Sequence, residues 1–173
     1  MQLAVDFEVA AADIDESVVE GESPRDYVLR LSRTKALSGF TQGGGRLPVL
    51  GSDTIVLLDG EILGKPGSRK EAESMLQRLS GRTHEVYSGV ALALGSDTVL
   101  DALNITAVTF GDIPAAWISQ YCQGGEPMDK AGAYAVQGGT GQYIRRIEGS
   151  YSGVMGLPLF ETADLLRRAG LLV

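Results

Sequence analysis

The chain has 173 residues, 44% of them apolar, which suits one compact domain with a sizeable core. A formal charge of −7 points away from nucleic acid, whose binders carry a basic face or stripe. A phosphate ligand would have to be met by a local cluster of Lys and Arg or by a metal. No uninterrupted apolar run is long enough to span a bilayer, and the opening MQLAVDFEVAAADIDE is acidic rather than signal-like, so the expectation is a soluble protein with no membrane partner. Cys122 is the sole cysteine, cannot close an internal disulfide and fits a reducing cytoplasm. Its apolar neighbours Trp117, Ile118 and Tyr121 make it a small core residue rather than a nucleophile.

In chain order, Ser23-Pro24-Arg25-Asp26 places a capping serine, a proline at the first helical position and a carboxylate in the first turn, so a helix is predicted to start there. Tyr27, Val28, Leu31 and Leu37 form its apolar face, Arg30, Arg33 and Lys35 supply positive charge, and the pattern dissolves at Gly39 and the Gly43–Gly45 run. Leu47 to Leu58 reads as a strand interrupted by Gly51-Ser52-Asp53-Thr54, and Asp59-Gly60 favours a type I′ hairpin into a second short strand. A carboxylate among apolar residues is costly unless it ends or bulges a strand, binds a metal or faces a cleft. Ser68 and Glu71 form a capping box for a helix with Ala72, Met75, Leu76 and Leu79 at helical spacing, stopped by Gly81. Val86 to Leu94 and Asn104 to Phe110 follow as strands, Pro114 opens a short helix ending near Gly124-Gly125, and Pro158 opens a last one ending at Gly170. This alternation indicates an α/β fold, a single domain over residues 1–173 with a long central mixed sheet flanked by helices.

Between Gly125 and Gly156 glycine becomes dense, with Glu126, Asp129, Lys130, Tyr134, Gln137, Arg145, Arg146 and Ser150 among the glycines. Gly138-Gly139-Thr140-Gly141 resembles a phosphate cradle but lacks the lysine of a P-loop, and a plain tight turn is the better reading. His84, the sole histidine, has no second imidazole with which to share a metal and reads as a partly exposed strand residue. No Gly-x-Ser-x-Gly elbow supports serine hydrolysis. What remains is carboxylate-plus-lysine chemistry, suited to a metal-bound polyphosphate, with Asp15, Glu16, Asp53, Lys35 and Lys65 as scattered candidates. Taken singly, each reads as an ordinary solvated charge.

Taken together they do not. Asp15-Glu16 after an apolar strand, Tyr27-Val28-Leu29-Arg30-Leu31 with Lys35-Ala36, Gly51-Ser52-Asp53-Thr54, Gly64-Lys65-Pro66, Leu79-Ser80-Gly81, Gly125-Glu126-Pro127, Asp129-Lys130-Ala131-Gly132-Ala133-Tyr134, Gln137-Gly138, Gly149-Ser150-Tyr151 and Gly156-Leu157-Pro158-Leu159 occur in an order that resembles the Maf family of nucleotide pyrophosphatases. The resemblance implies a fold akin to the inosine triphosphatase superfamily, often a homodimer, that cleaves a nucleoside triphosphate between its α and β phosphates with a divalent metal, Mg or Mn. It makes Asp53 the proton acceptor for the attacking water, with Lys35 and Lys65 on the triphosphate. Glu16 and Asp53 become the metal-binding pair, and Thr54, Gln137 and Lys130 contact substrate. The branch of the family that the sequence resembles has Gln at position 137 and is associated with dTTP and UTP, while a sister branch has Glu there and prefers 7-methyl-GTP. An amide both donates and accepts on a uracil or thymine edge whereas a carboxylate only accepts, so Gln137 favours a pyrimidine. The family opens with a strand, a Ser-x-Ser-Pro-Arg-Arg loop and a helix, and this sequence begins after them, near Leu3-Ala4-Val5-Asp6-Phe7, so reduced activity is the expectation for it. Two other readings stand beside this one: a catalytically impaired nucleotide-binding protein with a regulatory role in cell division, and a housecleaning enzyme for modified nucleotides.

Overall fold

A computed structural model describes residue 3 and residues 5–172. Residues 5–19 carry no regular secondary structure, so the apolar strand expected ahead of Asp15 is not formed among the described residues, and Ala4 lies outside them. Phe7 and Val9 are 73% and 88% exposed, so the segment buries little to offset the cost of ordering a strand.

Helix α1 spans Pro24–Gln42 and begins as predicted, with the Ser23 hydroxyl accepting from the Asp26 N–H at 3.2 Å. It runs through Gly39 to a cap at Gly43, beyond the point where the apolar pattern fades. The reason is packing: a Cβ on Gly39 would stand 2.9 Å from Val49 Cγ1, so glycine serves close approach rather than termination. Strand β1 spans Val49–Leu58 without a break, which corrects the predicted interruption at residues 51–54. A Cβ on Gly51 would meet the Ala36 nitrogen and the Ser32 carbonyl oxygen at 2.5 Å, so the glycine marks where α1 crosses the strand backbone to backbone.

Asp59 and Gly60 take φ values of 53° and 83°, the pair of positive angles that the predicted type I′ turn requires, and lead into β2, Glu61–Leu63. Helix α2, Arg69–Leu79, is capped by Ser68, whose hydroxyl accepts from the Glu71 N–H, while the Glu71 carboxylate accepts from the Gly67 N–H at 2.8 Å. Strands β3, Thr83–Ala93, and β4, Val99–Phe110, both start earlier than their apolar runs suggest. After α3, Ala115–Tyr121, three short 3₁₀ turns occupy Glu126–Asp129, Ala131–Ala133 and Gly139–Tyr143. The glycine-rich segment then yields a strand and a helix that composition hides, β5 at Ile144–Glu148 and α4 at Tyr151–Val154, before α5 at Leu159–Arg168.

The five strands lie in one sheet in the order β2-β1-β3-β4-β5, giving the α/β architecture expected. The β1–β2 and β4–β5 pairings are antiparallel, with Val56 opposite Leu63 and Val108 opposite Ile147. The chain falls into two compact units. One holds the residues up to Asp53, Ser88–Asn104 and those from Gly156 onward; the other holds Thr54–Tyr87 and Ile105–Met155.

In the first unit α1 packs through its buried residues, Val28, Leu31, Ser32 and Ala36 among them, and a second cluster joins Val90 and Leu92 to Leu165 and Leu166 of α5. In the second, Ala72, Met75, Leu76 and Leu79 of α2 join Val56, Leu58, Val86, Val108 and Phe110, each large side chain contributing on the order of 1.5–3 kcal/mol by burial. His84 belongs to this core: it is 2% exposed, not partly exposed, because Phe110 and Tyr134 enclose it and the Tyr134 hydroxyl sits 2.7 Å from its Nε2. Cys122 is 3% exposed, and burial pushes its thiol up, in keeping with an inert core residue.

Candidate active site

Three of the predicted site residues meet in the first unit. Lys35, on α1, directs its ammonium to Asp53 Oδ1 on β1 at 2.6 Å and to Glu16 Oε1 on the irregular N-terminal segment at 2.8 Å. The side chains are 20% exposed for Lys35, 11% for Asp53 and 44% for Glu16, so the group is sheltered on its strand side and open on the other. Burial works against the ammonium and is the largest single influence, but the hydrogen bonds to Asp53 and Glu16 and the negative charge of both carboxylates together outweigh it and hold Lys35 above its ordinary value. Lys35 is therefore a fixed cation at neutral pH.

The backbone around this group is tied down. Ser52, which sequence reasoning passed over, places its hydroxyl 2.8 Å from the Gly89 carbonyl oxygen and 2.7 Å from that of Gly156, donating to a shared pair of acceptors and fixing β1 one residue before Asp53. Asp15, a candidate for chemistry, turns inward on its own loop, accepting from the Ser17 N–H at 2.9 Å, and that bond holds its carboxyl below the usual range. Tyr27 is buried, and its phenol is pushed above its ordinary value by burial first and then by the carboxylates of Asp53 and Glu16. It remains a neutral donor, and it gives its hydrogen bond to the Glu16 carbonyl oxygen at 2.8 Å. The signal was a tyrosine where the apolar face of α1 would take any large hydrophobe.

The other candidates lie in the second unit. Lys130 binds the neighbouring Asp129 at 2.7 Å, and that bond, helped by the field of Lys65, holds the Asp129 carboxyl below its ordinary value. The Gly132 N–H donates to the Gly64 carbonyl at 3.1 Å, joining the loop of Lys65 to the turn that follows Lys130. A Cβ on Gly132 would lie 3.0–3.1 Å from the Val56 side chain, so that turn rests directly on β1. Gln137 is exposed on a turn closed by Gly138 N–H to the Ala135 carbonyl at 3.0 Å and by the Thr140 hydroxyl to the same oxygen at 2.8 Å. The 138–141 stretch is the tight turn that its composition suggested, closed by the Gly141 N–H to the Gly138 carbonyl at 3.0 Å. Thr54 follows Asp53 on β1, half-buried and directed to the other face by strand alternation.

Among the described residues no group of three or more His, Cys, Asp or Glu side chains is arranged to hold a metal ion. Glu16 and Asp53 nevertheless bring two carboxylates to one cation, the Lys35 ammonium, and one or two is the number that a hard divalent ion usually takes from protein. No described helix is long and apolar enough to cross a membrane.

The chain matches the family described as Maf-like protein over residues 1–169. It is 51% identical to a protein of Methylobacillus flagellatus named dTTP/UTP pyrophosphatase, with 99% of this chain and 86% of that protein aligned. Proteins of the same name from Escherichia coli O157:H7 and Bordetella avium are 50% and 51% identical, covering 95% and 91% of this chain and 83% and 80% of their own lengths. With the ion-paired Glu16, Lys35 and Asp53 lying at the motif positions by which the sequence resembles that family, this chain belongs to the Maf-like protein family.

Proposed function

We propose that the chain is a nucleoside triphosphate pyrophosphatase that hydrolyses dTTP and UTP to the monophosphate and pyrophosphate, with magnesium or manganese. The observation that carries the reading is the Glu16–Lys35–Asp53 group, present in a chain about half identical to proteins named for that reaction.

In this reading Asp53 orients a water and takes its proton as the water oxygen bonds to the α-phosphorus. The bond from the α-phosphorus to the bridging oxygen breaks, and pyrophosphate leaves with the electron pair. Lys35, kept cationic by its two carboxylates, stands beside the base and balances charge that develops on the phosphoryl oxygens. The family resemblance implies substrate contacts for Lys65, Lys130, Thr54 and Gln137. Glu16 and Asp53 would hold the divalent ion, which supplies charge neutralisation of the phosphates.

The test is product analysis with dTTP, UTP and a modified pyrimidine triphosphate, in wild type and Asp53→Asn. Pyrophosphate as the first product, lost by at least about a hundredfold in the variant while nucleotide binding persists, is the expected result. Orthophosphate release, an active Asn variant, or binding without turnover in the wild type would each overturn it.

A further inference from the structure

Glu16 sits on a stretch without regular structure, mostly exposed, so its backbone has no helix or sheet to aim its carboxylate. Yet it meets Lys35 at 2.8 Å. We propose that Tyr27 and Arg30 are positioning residues that deliver Glu16 to Lys35 by clamping the two consecutive carbonyls of Glu16 and Ser17.

Tyr27 donates its hydroxyl hydrogen to the Glu16 carbonyl at 2.8 Å, and Arg30 donates from Nη2 to the Ser17 carbonyl at 3.0 Å. Pinning both oxygens holds the two successive peptide planes that follow the Glu16 Cα, and with them the backbone from which the Glu16 side chain leaves. Arg30 is itself held in a fork by Glu22, Nε to Oε1 at 2.7 Å and Nη2 to Oε2 at 2.8 Å, and its guanidinium lies over the Tyr27 ring at 5.4 Å. Glu22 in turn accepts from the Val19 N–H at 3.4 Å, and the Asp15 carboxylate accepts from the Ser17 N–H at 2.9 Å, so the loop is closed on both sides of the clamp.

Tyr27 and Arg30 are neighbours on α1, the same helix that carries Lys35. One rigid element therefore supports both the ammonium and the device that brings its second carboxylate. Neither Tyr27 nor Arg30 needs to touch substrate. The catalytic weight of Glu16 rests on the function proposed above; its placement does not.

The test uses zero-length carbodiimide crosslinking of the whole chain, with the Glu16–Lys35 and Asp53–Lys35 amides quantified by mass spectrometry. Tyr27→Phe removes one hydroxyl from a buried ring and Arg30→Gln removes the fork. Tyr27→Phe should lower the ratio of the Glu16 to the Asp53 crosslink by about fivefold, the population change expected for one lost hydrogen bond, and Arg30→Gln by at least as much. Glu22→Gln, which loosens the fork without touching Glu16, should lower it less. An unchanged ratio would overturn the proposal, and so would an equal fall in both crosslinks, which would signal general loosening. In the rate assay Tyr27→Phe should cost nothing further in a Glu16→Gln background, since it acts only through Glu16; additive losses would overturn it. If Glu16→Gln alone leaves turnover intact, the metal role of Glu16 fails, while the crosslink ratio still decides the clamp.

Discussion

His84 makes the stability of this protein depend on pH in a window where few other groups titrate. Its imidazole is enclosed by Phe110 and Tyr134, and burial lowers it to about 4 from an ordinary 6.5. In the imidazolium both nitrogens carry a hydrogen, so Nδ1, which has no hydrogen-bond partner, would be a buried donor with nothing to accept from it. The folded state thus favours the neutral ring, while the unfolded chain binds a proton from about pH 6.5 downward. Stability contributed by the neutral ring is complete above pH 6.5, declines as pH falls, and levels off below about 4. A gap of this size corresponds to about 3 kcal/mol over the whole window, of which about 2 kcal/mol is lost between pH 7 and pH 5. Urea unfolding at half-unit steps from pH 7.5 to 5 should show that decline in the wild type and lose it in His84→Phe. Because the chain has one histidine, a single imidazole proton resonance follows the titration in the folded protein. A midpoint near 6.5, or an identical pH slope in the variant, would refute the reasoning.

Two glycine substitutions separate proximity from cost. Gly51→Ala puts a methyl 2.5 Å from helix backbone that cannot yield and should lose about 3 kcal/mol in urea unfolding, whereas Gly138→Ala, nominally 1.6 Å from the exposed carboxylate of Glu126, should stay within about 0.5 kcal/mol because that side chain swings aside. Gln137→Glu should lower the UTP to 7-methyl-GTP ratio of kcat/KM by roughly ten to a hundredfold, since the new group cannot donate to a pyrimidine carbonyl; an unchanged ratio would remove Gln137 from base reading.

The helices were legible where capping chemistry is local: Ser23 and Ser68 announce α1 and α2 by hydrogen bonds to residues three positions on. Asp59-Gly60 was equally plain, since its turn depends on two backbone angles. Gly39 and Gly51 were misread as interruptions because their purpose, the approach of α1 to β1, involves residues distant in sequence. The strand β5 was hidden for a similar reason, Arg145 and Arg146 being exposed on an edge whose apolar alternation is weak. At the site, residue types and order singled out Glu16, Lys35 and Asp53. Nothing local disclosed that Ser52, Tyr27 and Arg30 would act on carbonyl oxygens, because a carbonyl has no identity in a sequence.

The glycine seam under α1 also bears on entropy. At Gly39, Gly51 and Gly89 the helix meets its neighbours with no intervening side chain on the glycine side, a Cβ on Gly89 falling 2.5 Å from the Ser32 hydroxyl. Such a contact freezes few rotamers, so most of its ordering cost lies in backbone that folding must order in any case. Lys35 and Asp53 flank this seam, beside Ala36 and two residues after Gly51. Their 2.6 Å pairing is therefore settled when the chain folds, and the substrate of the proposed reaction would find that geometry already made.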